Sequence, residues 1–262
     1  MTKLINSTFV LQHLIIASEN NLTNLVSYYH QKGSKGYLEG GKNQNLVTLK
    51  QHTRECGGTY LDSGVFTARK HNELLCLDDL INYYHRHSDE IDYVFTLDQG
   101  TYSEWIEHTR IMKEAEVPVI GIVRADMTSE QILQTVENSY DDYIALSCFG
   151  FNTASTEGAS SLINYYRLLE NLVGLQTKIH LLGIFKHSIL VQTLPYSTDA
   201  SSIARFTVFG KIIDWNEERG IIYQSRTDEI SSLHYSSRAR YNYRKLKQYE
   251  NYLMRLRIQR GL

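Results

Sequence analysis

Three aspartates stand at the ends of short segments: Asp62 after Thr59-Tyr60-Leu61, Asp98 after Phe95-Thr96-Leu97, and Asp199 after Pro195-Tyr196-Ser197-Thr198. A carboxylate delivered to the end of a buried run is costly to desolvate unless it is paired, hydrogen-bonded or used. Paired carboxylates facing a sugar anomeric carbon support double displacement. One attacks to form a covalent glycosyl-enzyme, and the other carries the proton. Each acid also has a plain structural alternative. Asp62 runs into Ser63-Gly64 and could hydrogen-bond its own backbone in a turn. Asp98 precedes Gln99-Gly100-Thr101 and could cap the next helix. Asp199, among Ser197, Thr198, Ala200, Ser201 and Ser202, could belong to a polar loop. Three acids at comparable points shift the balance toward chemistry. Gly64 frees the backbone at the first turn, and Phe66 then offers a flat apolar surface suited to a planar ligand.

The elements that must position these acids follow a regular alternation. Runs 92–97, 117–123, 142–146 and 178–184 read as strands, the second ending at Arg124 and the third running into Ser147 and Cys148. Between them, 72–87, 103–116, 129–139, 156–173 and 188–193 carry helical spacing. In the first of these Leu75, Leu80, Ile81 and Tyr84 give the apolar face, and Ser129 is the expected N-cap of the third. Thr8 to Ala17 reads as a first strand or core segment, and the glycine-bearing stretch Gln31 to Gln44 as a long loop. Strands separated by helices imply βα units and a parallel sheet, and the near-continuous apolar run 117–123 implies a sheet covered on both faces. Six or more such units favour closure. The expected fold is α/β, a (β/α)8 barrel of the TIM type, irregular near its closure. In such a barrel Asp62, Asp98, Arg124, Ser147, Cys148 and Asp199 all fall on the rim where the strand C-termini meet.

The chain has 262 residues with 42% hydrophobic and 21% charged, an ordinary globular balance that excludes disorder. Net charge is −2, so the chain is no bulk polycation, but the charge is unevenly placed. Residues 238–260 hold eight Lys or Arg against the single acid Glu250. This suggests two parts: a barrel over 1–235 and a basic helical segment over 236–262 packed on it. Leu246, Tyr249, Leu253 and Leu256 supply the packing face, leaving Tyr241, Tyr243, Tyr252 and the basic residues on the others. Arg238, Arg240, Arg244, Lys245 and Lys247 are candidates for contact with a polyanion, although a solvated amphipathic helix has the same pattern. Cys56, Cys76 and Cys148 are scattered, which argues against a disulfide framework or a cysteine metal site. His85 and His87 point to different faces of their helix, so no metal is expected there. Cys148 adjoins no histidine, and a small rim or core residue is its simpler role. The run Phe9 to Ala17 is too short and too interrupted to span a membrane, so a cytoplasmic setting is expected.

Four segments, in order, resemble the tRNA-guanine transglycosylase family. Leu61-Asp62-Ser63-Gly64-Val65-Phe66 is similar to the family's Asp-Ser-Gly-Gly-Phe/Tyr-Gln motif, with Val65 and Thr67 in place of a glycine and the glutamine. Phe95-Thr96-Leu97-Asp98 resembles the strand whose last acid reads the base. His180-Leu181-Leu182-Gly183 resembles the His-Leu-Phe-Gly segment of the archaeal branch, and Thr198-Asp199-Ala200-Ser201-Ser202 the segment carrying the nucleophile. The resemblance implies a base-exchange pentosyltransferase without cofactor. Asp199 would attack C1′ and displace guanine, and Asp62 would transfer the proton. Phe66 would stack on the purine, and Asp98, Cys148 and the Gly183 backbone would line the base site. The family's cysteine-rich zinc element has no counterpart here. On that ground the chain is more similar to compact viral enzymes that insert a 7-deazaguanine into DNA. The implied partners are a polynucleotide, DNA ahead of tRNA, and a guanine or 7-deazaguanine base, with a homodimer left open and the host cytoplasm as the viral setting. Two other functions fit the same residues: a non-catalytic subunit binding nucleic acid or a partner, and an unrelated barrel hydrolase acting on a nucleoside or sugar.

Overall fold

The computed structural model describes residues 2–7, 17, 19–33, 58–200, 207, 211–218, 220–224 and 235–262. Eight parallel strands close on themselves in chain order: β1 (Lys3–Ser7), β2 (Thr23–Ser27), β3 (Thr59–Asp62), β4 (Tyr93–Phe95), β5 (Val119–Val123), β6 (Tyr143–Ser147), β7 (Lys178–Leu182) and β8 (Ser197–Ala200). Closure comes from β1 against β8, with Ile5 opposite Asp199. Around the strands run α1 (Tyr28–Gly33), α2 (Val65–Lys70), α3 (Leu77–Arg86), α4 (Tyr102–Glu114), α5 (Ser129–Asn138), α6 (Thr156–Val173), α7 (His187–Thr193) and α8 (Tyr235–Gln259). This is a (β/α)8 barrel of the TIM type with a C-terminal helix. Its irregularity sits where expected. An antiparallel hairpin, β9 (Ile212–Asn216) with β10 (Gly220–Gln224), stands between β8 and α8.

Local chemistry accounts for the element ends. The Thr101 hydroxyl accepts from Glu104 N–H while the Glu104 carboxylate accepts from Thr101 N–H, so a capping box opens α4 and Asp98 takes no part in it. A second capping box, Thr128 with Gln131, opens α5, so the cap is Thr128 and not Ser129. Helix α6 spans the expected residues, with Ser155 as its cap. Helix α3 is shorter than its periodicity predicts. Gln99 donates to Leu75 O at 3.2 Å and accepts from Leu75 N–H at 2.9 Å, so the backbone before Leu77 is committed to the β4–α4 loop. The first strand is Lys3–Ser7; of the expected segment Thr8 to Ala17, all but Ala17 lies outside the described residues, as does most of the glycine-bearing loop. Strand β2 has no counterpart in the sequence expectations.

Alternation along the strands splits the core. Ile5, Leu25, Tyr60, Phe95, Ile120, Ile122, Tyr143 and Ala145 point inward and form one cluster. Tyr60, Tyr93 and Tyr143 meet edge to face, with centroids 5.0 and 5.2 Å apart for the two pairs that include Tyr93. These bulky rings plug the barrel, leaving only its mouth for chemistry. The outward residues pack beneath the helices: Leu61, Val94 and Val119 with Leu80 and Met112, and Leu4, Ile144 and Leu181 with Leu162, Leu190 and Leu253. Helix α8 covers β1 and the hairpin. Tyr243 is fully buried there beside Leu246, Tyr249 and Leu253, contrary to the expectation that it lies on a polar face.

Candidate active site

Asp62 ends β3 and turns straight into Ser63 and Gly64. Its carboxyl accepts the backbone N–H of both residues, so the turn role and the chemical role coincide. Gly64 has φ 77°, and a Cβ there would lie 2.5 Å from Ser27 Oγ and from Tyr29 Cβ. Only glycine fits this crossing of the β2 and β3 ends. Burial pushes the Asp62 carboxyl up to about 7, reinforced by the negative charges of Asp98 and then Asp199. The three acids, distant in sequence, therefore share one mouth.

Asp98 is half-buried and accepts from Ser63 Oγ at 3.1 Å, while Arg69 donates to its backbone carbonyl at 3.0 Å. Burial raises its carboxyl above the ordinary range; the Ser63 hydrogen bond and the positive charges of Arg69 and Arg124 oppose that rise. Arg124, at the end of β5, pairs with Asp126 at 3.2 Å. Its guanidinium lies 5.1 Å from the exposed Phe149 ring and 5.7 Å from Tyr102.

Asp199, on β8, is 7% exposed. Its Oδ1 accepts the N–H of Gly183 and lies 3.4 Å from His180 Nε2. Gly183, just past the end of β7, has φ 72°, a left-handed conformation that glycine adopts without steric cost. In this structure the Gly183 N–H is engaged by Asp199. Cys148 joins the site: its thiol donates to Leu146 O at 3.7 Å and is pushed well above the ordinary thiol range by burial and then by Asp199. A thiol so held is protonated and unreactive as a nucleophile.

Two expectations are less directly met. Phe66 lies on α2 just past the Asp62 turn but is 67% exposed, with Lys70 Nζ 4.2 Å above its ring, so it stands outside the buried acid cluster. The basic helix stands on the flank. Arg240 pairs with Glu19 at 3.2 Å, Lys245 with Asp214 at 2.9 Å, and Lys247 with Glu250; Arg238 is half-buried and Arg244 exposed. Glu250 accepts Leu4 N–H, Lys247 donates to Asn21 O and Arg257 to Leu194 O. Those acceptors and donors lie where β1, β2 and β8 begin, so the 247–257 half of α8 is at the barrel end opposite the acids. Much of its charge is spent on the protein itself.

Residues that sequence reasoning left without a role are His180, Ser197 and Tyr143, all fully buried. The signal was a histidine inside an apolar strand, and a serine two residues before Asp199 on the same strand face. Among the described residues no cluster of three or more His, Cys, Asp or Glu could hold a metal ion, and no helix is long and apolar enough to cross a membrane. Compared with known proteins, the chain matches neither a family model nor a curated sequence.

Proposed function

We propose that this barrel is a base-exchange guanine transglycosylase, replacing a guanine in a polynucleotide, DNA ahead of tRNA, by a 7-deazaguanine base. The observation that carries this is Asp62. Burial and two neighbouring acids hold its proton affinity at about 7, which suits a group that gives and takes a proton at neutral pH. Beside it stands an anchored second carboxylate, Asp199, with Oδ1 held by Gly183. Together they supply the two carboxylates, one proton carrier and one nucleophile, that double displacement uses.

In this reaction the free oxygen of Asp199 attacks C1′ of the nucleotide. The C1′–N9 bond breaks, its electron pair leaves on N9, and the proton of Asp62 neutralises the departing guanine. The glycosyl ester is then attacked by N9 of the entering base, which yields its N9 proton to Asp62 as the Asp199–C1′ bond breaks. Atoms and charge balance over the cycle, with no cofactor. In this reading Asp98, which accepts from Ser63 Oγ, also accepts from the base edge. In a duplex, the target base leaves the stack at a cost of a few kcal/mol.

The test is incorporation of radiolabelled guanine, or of a labelled 7-deazaguanine, into DNA and into tRNA by wild type and Asp199→Ala. Label in DNA that disappears with Asp199→Ala is the expected result. Label surviving that substitution removes Asp199 as nucleophile. No label on either polynucleotide rejects the enzyme in favour of a binding subunit, and label in tRNA alone reverses the choice of substrate.

A further inference from the structure

A line of buried polar groups descends from Asp199 into the barrel plug. His180 Nε2 is 3.4 Å from Asp199 Oδ1, and His180 Nδ1 is 2.6 Å from Ser197 Oγ. Ser197 Oγ is in turn hydrogen-bonded to Tyr143 OH. His180, Ser197 and Tyr143 are fully buried, out of reach of bulk solvent. Strand register makes the line: His180 on β7 lies opposite Ser197 on β8, and Ser197 and Asp199 share one strand face. Phe95 packs edge-on against the imidazole with centroids 5.1 Å apart, fixing the ring plane.

We infer that His180 is a positioning residue for Asp199: a neutral imidazole that presents Nε2–H to Oδ1 and is held in that tautomer by a Tyr143→Ser197→His180 hydrogen-bond chain. This rests on the reading of Asp199 as nucleophile. With the ring neutral, the direction of the chain follows from donor and acceptor inventory. If Nε2 carries the hydrogen, Nδ1 accepts, so Ser197 donates to it and accepts from Tyr143. Each hydroxyl then donates once, and no lone pairs meet. The reverse tautomer would set the Nε2 lone pair against the Asp199 carboxylate in a site shielded from water. Two donors, Gly183 N–H and His180 Nε2–H, then converge on Oδ1. The other oxygen is left without a protein donor from either, and it becomes the attacking atom. At 3.4 Å the Nε2 contact is loose, and His180 Nε2 makes no well-aligned hydrogen bond in this structure; such bonds commonly tighten when the reacting complex forms.

Nitrogen NMR of histidine-labelled protein tests the tautomer without any substrate. Protonated Nε2 with unprotonated Nδ1 is expected for His180 in wild type, with the Nε2–H resonance shifted in Asp199→Asn and the tautomer no longer fixed in Ser197→Ala. Any other protonation pattern in wild type, or spectra indifferent to both substitutions, overturns the inference. Kinetics supply the second arm. Ser197→Ala and His180→Ala should lower kcat for base exchange by about 10-fold and about 100-fold, the range expected for groups that orient a reacting ligand. KM for the polynucleotide should stay within about 3-fold. His180→Gln, which restores an N–H donor, should recover part of the loss. Equal effects on KM and kcat, or no rescue by glutamine with folding intact, reject a positioning role. An inactive wild type with the expected tautomer would fault the transglycosylase reading and leave the buried chain standing.

Discussion

Replacing Asp62 by Asn should stabilise this protein while removing its activity. In the fold, the Asp62 proton is held up to about 7 rather than the ordinary 3.8. The native state thus keeps a proton that the unfolded chain releases. Stability from this group is fully present below the ordinary carboxylate pKa and is lost as pH rises from about 4 to about 7, because the unfolded state binds fewer protons across that window. Taken at face value, the difference corresponds to at most about 4 kcal/mol at pH 8. The mouth of the barrel is partly open to water, and that screening brings the expected figure to about 2 kcal/mol. Asn keeps an oxygen for the Ser63 and Gly64 N–H groups, so the turn survives and only the charge is removed. Urea unfolding of both proteins between pH 4 and pH 8 is the assay. The two should agree at pH 4 and diverge in favour of the variant to about 2 kcal/mol at pH 8, with unchanged denaturant slopes. A difference that does not vary with pH, or a variant less stable than wild type at pH 8, would refute the account of three mutually repelling acids. The gain in stability with loss of function is the trade expected where acids are crowded to do chemistry.

Two further substitutions probe the frame around the site. Gly64→Ala should cost about 2 kcal/mol or more, because its φ of 77° is joined by contacts at 2.5 Å with Ser27 and Tyr29. Gly150→Ala, with φ 96° but open space around it, should cost only about 1 kcal/mol of backbone strain. Thermal unfolding of the pair separates the two contributions. Glu250→Ala should destabilise by about 2–3 kcal/mol in chemical denaturation, since it strands the buried Leu4 N–H bonded at 2.9 Å and deprives Lys247 of its carboxylate partner. Glu250→Gln, which keeps the acceptor, should cost about 1 kcal/mol or less.

The parts of the fold that were legible beforehand are those specified locally. Helix α6 matches its expected span because Ser155, a long 3.6-residue stripe and Gly174 mark its ends within one stretch of chain. The rim placement of Asp62, Asp98 and Asp199 was legible for the same reason, since a strand's end is written in its own residues. Failures occurred where a distant group intervened. Gln99 captured the Leu75 backbone and shortened α3. Tyr243 belongs to the buried stripe, which also takes in the polar residues Asn242 and Glu250; both are satisfied across the interface, Asn242 by Ile213 N–H at 2.8 Å and Glu250 by Leu4 N–H at 2.9 Å.

The amino-acid sequence by itself determined that strands and helices alternate, that acids are delivered to strand ends, and that a basic, amphipathic helix follows. Hydrophobic period and turn chemistry are properties of neighbouring residues and need no knowledge of the rest. Only the tertiary structure decided how strongly Asp62 holds its proton, that Gly183 N–H bonds Asp199 with His180 beside it, and that much of the charge on α8 is answered by Glu19, Asp214 and Glu250. Each of these depends on which groups, distant in sequence, face one another in the fold. That arrangement exists only once β8 has paired with β1 and closed the barrel.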